Sequence, residues 1–181
     1  QHPELAFECH RTAAWIVERL REIGVDEIHE GIAKTGIVAL IKGQGPGPVI
    51  GLRADMDALP ILEATGLEYA SRNQGVMHAC GHDGHTAMLL AAAKALAEPG
   101  RFSGTLNLIF QPAEEYGTDD SGAVRMMRDG LFEKYPCDAI FGMHNMPGWP
   151  QGHLVFRDGA MMASSDKVFI TLTGHGGHGA M

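Results

Sequence analysis

A chain of 181 residues, 45% of them hydrophobic, can bury a core of its own and fits one domain with part of a second. Its 22 acidic against 14 basic residues leave a net charge of -8, and no cluster of Lys or Arg occurs along it, which disfavours nucleic acid and anionic membrane as partners. No apolar run approaches the roughly 20 residues of a membrane span, residues 1–20 lack a signal peptide's apolar stretch, and Cys9, Cys80 and Cys137 form no disulfide framework, so a soluble cytoplasmic protein is expected.

The chain opens on Gln-His-Pro-Glu-Leu and stops at Met181 inside a glycine-histidine segment, and it reads as part of a longer protein. Residues 11–23 place Ala14, Trp15, Val17, Leu20 and Ile23 near the helical period ahead of Gly24, which predicts an amphipathic helix with a glycine C-cap. Apolar runs at 37–41 and 49–52 flank a turn at 43–48 and predict a hairpin whose second strand runs into Asp55-Met56-Asp57. From Met77, M-H-A-C-G-H-D-G-H packs one cysteine, three histidines and an aspartate into nine positions, and the Ala- and Leu-rich run from Thr86 has the composition of a buried helix broken at Pro99-Gly100. Residues 105–110 predict a strand ending at Gln111-Pro112, with Glu114 and Glu115 directly after it. A shorter helix at 121–128 is closed by Gly130, a buried-type strand at 139–143 delivers His144, and 168–173 alternates like a half-buried strand before a glycine-rich loop. Strand and helix alternate, so the class is α/β.

Cys80 and His82, two residues apart, point to the same side of an extended backbone, and sulfur with nitrogen suits zinc, cobalt or manganese-type hydrolytic sites better than calcium or magnesium. Gly81 and Gly84 allow tight turns between ligands, while His78 and His85 are candidates for supporting or capping roles. Glu114 and Glu115 are neighbours in extended chain and face opposite sides, so one carboxylate can bind metal while the other reaches an attacking water. A lone Glu-Glu pair is usually a solvated loop; the buried strand and the Gln-Pro kink before this one favour a site. Asp57 can orient a metal-bound histidine, Asp55 can equally be a turn residue before Ala58-Leu59-Pro60, and His144 is balanced between ligand and satisfied core histidine. Sites in open α/β sheets form outside the carboxyl ends of the strands, so these residues are expected to converge on the Cys80-His82 loop. Two further readings stay open: Cys80 as a nucleophile activated by His82 or His85, and a closed structural metal site without turnover. No G-x-G-x-x-G after a strand and no Walker sequence is present, so nucleotide binding has no support.

Several motifs in one order carry a resemblance: H-P-E-L-A-F-E from His2, T-G-I-V-A from Thr35, L-R-A-D-M-D-A-L-P from Leu52, G-V-M-H-A-C-G-H-D-G-H-T-A from Gly75, I-F-Q-P-A-E-E from Ile109, F-G-M-H from Phe141 and G-H-G-G-H-G-A-M from Gly174. With them the chain closely resembles the metal-dependent amidohydrolases typified by hippurate hydrolase, N-acyl-L-amino-acid amidohydrolase and the auxin-conjugate hydrolases, a branch of the aminoacylase and carboxypeptidase superfamily. The resemblance implies a mixed-sheet, zinc-peptidase-like catalytic domain with helices on both faces over residues 1–163, and the start of a smaller α+β lid and dimerisation domain over 164–181. It implies two divalent metal ions (Zn, Mn, Co or Ni) held by Cys80, His82, Glu115 and His144, with Glu114 as general base, Asp57 supporting a ligand and His178 reaching substrate. Asp55 falls where other branches carry a ligating histidine. The implied reaction is hydrolysis of N-acyl or N-aroyl amino acids by a homodimer, with aminopeptidase, dipeptidase or carboxypeptidase activity as the alternative within the superfamily. The family's last histidine ligand falls beyond Met181, so the activity is expected of the complete protein and not of these residues alone.

Overall fold

The structure is a computed structural model that describes residues 1–117, 119–164 and 168–180. The chain divides into two units, Gln1–Asn145 and Met146–Met181. The first contains, in order, α1 (His10–Ile23), β1 (Glu27–Ile32), β2 (Gly36–Lys42), β3 (Val49–Asp55), α2 (His82–Leu96), β4 (Thr105–Gln111), α3 (Gly122–Arg128), α4 (Leu131–Lys134) and β5 (Ala139–Gly142).

The strands form one sheet in the order β1-β2-β4-β3-β5. The expected hairpin of β2 with β3 is therefore not formed: β4 lies between them, antiparallel to β2 and parallel to β3. Composition explains the insertion. β4 carries Leu106, Leu108 and Phe110 towards one face and Ile109 towards the other, all buried, so it takes the centre. Parallel neighbours need a crossover, and α2 supplies it between β3 and β4. The glycine-rich segment after β2 is tied to the entry of β4, through Gly43 N–H to Gly104 O at 2.8 Å and Thr105 N–H to Pro48 O at 3.0 Å. The hairpin that does form joins β2 to β1, whose polar sequence Glu-Ile-His-Glu-Gly-Ile gave no strand signal.

Alternation along β2 and β4 sends Ile37, Ala39, Ile41, Leu106, Leu108 and Phe110 under α1 and α2, while Val38 and Ile109 pack with Met126 of α3 and Leu131 of α4. Helices cover both faces, and burial of each large core side chain contributes about 1.5–3 kcal/mol. On α1 the buried stripe is Ile16, Val17 and Leu20 with Cys9 just ahead; Trp15, expected on that face, is 50% exposed with the Arg19 guanidinium over its ring. The helix start is capped from a distance, with the Glu4 carboxylate accepting the N–H groups of Arg11 at 3.1 Å and Thr12 at 2.7 Å.

β3, β4 and β5 run parallel, so their carboxyl ends reach the same edge of the sheet. β5, expected to be buried, is exposed along its length, because it sits at the sheet's end with β3 as its only neighbour strand among the described residues. In the unit Met146–Met181 the described residues carry turns but no helix or strand. The alternating run 168–173 is thus not a strand, since pairing requires a neighbour and the described residues offer it none.

Candidate metal centre

Four chain segments meet at the carboxyl edge of the sheet, the last of them carrying His144 after β5. After β3 the backbone places Asp55 and Asp57 inward, each 1% exposed. The loop before α2 is anchored where Leu59 and Met77 exchange backbone hydrogen bonds at 3.0 Å, and it ends at Gly81, the N-cap of α2 at φ +82. That left-handed conformation favours glycine, and a side chain there would also run into Asn145. His82 is the first residue of α2, and His85 lies one turn on along the same face. After β4, Pro112 and then Ala113, buried at φ +53, turn the chain sharply into Glu114. A non-glycine residue held there by surrounding structure marks a built turn.

Asp57 ties two of these segments together. Its Oδ1 lies 3.3 Å from His82 Nδ1, and its Oδ2 accepts the Glu115 backbone N–H at 3.0 Å. With the ring proton directed at Asp57, His82 presents the lone pair of Nε2, which is buried and has no hydrogen-bond partner among the described residues. Around that nitrogen stand Asp55 Oδ2 at 3.7 Å, Glu114 Oε2 at 3.8 Å and Glu115 Oε1 at 3.8 Å. Cys80 Sγ lies 3.3 Å from His144 Nε2. The donor atoms of Cys80, His82 and His144 fall within 4.8 Å of one another, as do those of His82, Glu114 and Glu115. An orphaned buried imidazole nitrogen, a thiol, a second imidazole and two carboxylates suit divalent metal ions of the zinc class.

Asp55, His82 and His85 meet the same distance condition, but Asp55 and His85 are already engaged. Asp55 Oδ1 lies 2.5 Å from His85 Nδ1, and its Oδ2 lies 2.9 Å from Arg53 Nη1; Arg53 Nε in turn donates to Gln111 Oε1 at 2.8 Å. This is a satisfied polar network beneath the open donors.

Electrostatics follow from the crowding of carboxylates. Burial, the contact with Glu115 and the charges of Glu115, Glu114 and Asp55 push the Cys80 thiol up to about 11 in the metal-free chain. Burial, followed by the charges of Glu115 and Asp55, raises the Glu114 carboxyl above the usual range. Burial opposes charge on His82, but the Asp57 bond and the surrounding carboxylates outweigh it and raise its basicity. For Asp55 burial also works against charge, and Arg53, His85 and His82 together hold the carboxyl below the usual range.

Of the residues singled out in the sequence, the fold thus brings Asp57, Cys80, His82, Glu114, Glu115 and His144 together. His178 lies in the other unit, where its Nδ1 accepts the Ala180 N–H at 3.2 Å. The supporting Arg53, Gln111 and Asn145 were not singled out in the sequence as site residues, whereas His85 was, as a candidate for a supporting or capping role; the helix, expected from Thr86, begins at His82 and puts both histidines on one face. An open depression of about 600 Å³, lined by residues that include His29, Asp129, Lys134 and Tyr135, contains none of the grouped donors.

Residues 51–177 match the model of peptidase family M20/M25/M40. The hippurate hydrolase of Campylobacter jejuni is 51% identical over 180 residues, which are 99% of this chain and 46% of that protein. The N-acyl-L-amino acid amidohydrolase of Geobacillus stearothermophilus is 44% identical over 99% of this chain and 48% of its own length. The chain therefore spans about half the length of these curated relatives. Among solved structures, the Bacillus subtilis YXEP protein, described as a dinuclear metal binding peptidase from the M20 family, superimposes with a TM-score of 0.76 at 46% identity, over 82% of this chain and 40% of that one.

Proposed function

The chain belongs to peptidase family M20/M25/M40, and from that premise we propose that the complete protein is a metal-dependent amidohydrolase, cleaving the amide bond of N-acyl or N-aroyl amino acids such as hippurate to a carboxylate and a free amino acid. The observation that carries this reading is the buried, unpartnered Nε2 of His82 facing two adjacent carboxylates, one of which remains partly open to solvent. The names of the hippurate- and N-acyl-amino-acid-cleaving relatives support the substrate class.

In this proposal Cys80, His82, Glu115 and His144 hold two divalent ions of the zinc, manganese, cobalt or nickel kind. Bound there, the ions supply Lewis acidity towards the scissile carbonyl and make a water more acidic. Asp57 keeps the His82 proton on Nδ1 and fixes the backbone of Glu115, so that both donors are presented in place. Glu114, made more basic by burial and by Glu115, takes the water's proton and delivers it to the leaving nitrogen. A closed structural metal site has no use for that spare carboxylate. A cysteine amidase is disfavoured because the Cys80 thiol, pushed up to about 11, stays protonated near neutrality. We further assign residues 1–163 to the catalytic domain and 164–181 to the opening of a lid through which a homodimer forms, with His178 reaching substrate from it and the protein working in the cytoplasm.

The test is release of glycine from hippurate by the complete protein, before and after chelation and metal re-addition. Activity lost and then restored supports the reading. Activity indifferent to chelators and abolished by thiol alkylation would replace it with the cysteine mechanism.

A further inference from the structure

His85 is buried, yet both of its ring nitrogens are in use. Nδ1 faces Asp55 Oδ1 at 2.5 Å, and Nε2 accepts the backbone N–H of Asn145 at 3.0 Å. Asn145 Oδ1 also lies 3.0 Å from Nε2. Because the backbone N–H needs a lone pair there, the ring proton belongs on Nδ1, where the Asp55 carboxylate receives it. Asp55 is in turn fixed by Arg53 and carries the Thr86 hydroxyl on its backbone carbonyl at 3.1 Å.

Asn145 directly follows His144, and its backbone N–H, its carbonyl and its side-chain amide nitrogen are all committed at this edge. Its carbonyl receives the His144 Nδ1 proton at 2.7 Å, which leaves His144 Nε2 free towards Cys80. Its side-chain Nδ2 donates to Gly81 O at 3.0 Å, the carbonyl between Cys80 and His82. The His85 and His144 rings also meet edge-on, with centroids 4.4 Å apart. The edge strand β5 ahead of His144 is exposed, so the sheet alone leaves this stretch weakly held.

We propose that His85 is a positioning residue: relaying the anchorage of Asp55 to the Asn145 backbone, it sets where the His144 imidazole stands relative to Cys80. The proposal rests on the reading of Cys80 and His144 as metal donors. It gives the second histidine of the H-D-G-H motif a task that neither metal contact nor proton transfer requires.

The test uses the complete protein loaded with cobalt(II), comparing His85→Asn with His85→Gln. An asparagine amide reaches only the Nδ1 position and keeps a donor for Asp55, whereas a glutamine amide extends to the Nε2 position and can still accept from Asn145. His85→Asn should weaken cobalt binding about 10- to 100-fold by chelator competition, the usual effect of losing a ligand's supporting partner, and should alter the cobalt d–d spectrum at saturating metal. His85→Gln, which keeps the Asn145 contact but loses the one to Asp55, should recover part of both. Wild-type affinity and spectrum in His85→Asn, or equal loss in the two variants, would overturn the proposal. Cys80→Ser separates the two readings, since it must abolish the thiolate-to-cobalt charge-transfer band. A band absent in Cys80→Ser but unaltered cobalt binding in His85→Asn removes the positioning role alone, while unchanged metal content and spectrum in Cys80→Ser removes the metal centre itself.

Discussion

The apolar layer beneath α1 and α2 and the carboxyl edge of the sheet are built from the same strands, and they differ in what they lack. Under the helices Ile37, Leu108 and Phe110 are enclosed by other apolar side chains and need nothing further. At the edge a few residues away, His82 Nε2 is buried without a partner among carboxylates that crowd one another. Buried polar atoms are costly unless satisfied, so the first region accounts for stability by itself and the second makes sense as a place prepared for cations. Fold and site should therefore respond separately to substitution.

The sharpest way to break that separation is at Glu114, whose side chain is partly solvent-exposed. In the complete protein Glu114→Gln should lower turnover on hippurate about 10²- to 10⁴-fold, the usual contribution of a general base, while metal content and thermal midpoint stay within error of wild type. A variant with near-normal turnover would remove Glu114 from the chemistry. The converse experiment is Phe110→Ala on the central strand, which empties a fully buried position. It should cost about 3–5 kcal/mol of unfolding free energy by denaturant titration. Metal stoichiometry in the fraction that remains folded should be unchanged, and loss of metal in proportion to stability would show that the two regions are one cooperative unit.

Asp57 belongs to both regions, since its carboxylate is 1% exposed yet aimed at His82 and Glu115. Asp57→Asn keeps the volume but replaces the oxygen that receives a proton from His82 or from the Glu115 N–H with a donor group. Metal affinity should fall about 10- to 100-fold by competition with a chelator. An asparagine protein that binds metal as tightly as wild type would mean that His82 is oriented by packing alone.

How much of this could be read beforehand follows the same division. Residues 105–110 announce a strand because Leu106, Leu108, Ile109 and Phe110 make a short β-type apolar run closed by Gln-Pro, and the strand ends announce the donors because Glu114, Glu115 and His144 follow such runs. Neighbour relations were not legible. Periodicity says that 37–41 and 49–52 are strands but not that β4 separates them, and β1 is too polar to register until β2 pairs with it. Trp15 was misplaced because a large aromatic at nearly the right phase looks buried, whereas the stripe that packs is set by Ile16, Val17 and Leu20. In the site, the Arg53–Asp55–His85–Asn145 chain was invisible because β3, α2 and the residues after β5 are far apart in sequence and meet only through the packing of α2 on β3 and the parallel pairing of β3 with β5.

The smallest effect compares one thiol from each region. Cys9 lies in the core at 0% exposure, and burial, reinforced by the charges of Asp57, Glu4 and Glu8, raises its pKa far above the ordinary thiol range. Cys80 is reachable from solvent but raised to about 11. Alkylation proceeds through the thiolate, so below its pKa the rate rises about tenfold per pH unit. An ordinary cysteine levels off near pH 8.5. In metal-free protein lacking Cys137, the Cys80 rate should keep climbing past that point towards pH 11, and Cys9 should stay unlabelled until the chain unfolds. Added metal should then protect Cys80 at every pH, because a cation holds the thiolate that the carboxylates disfavour. A plateau at the ordinary position would mean that the carboxylates do not act on the thiol, and labelling of Cys9 at the Cys80 rate would mean that the core opens as readily as the site.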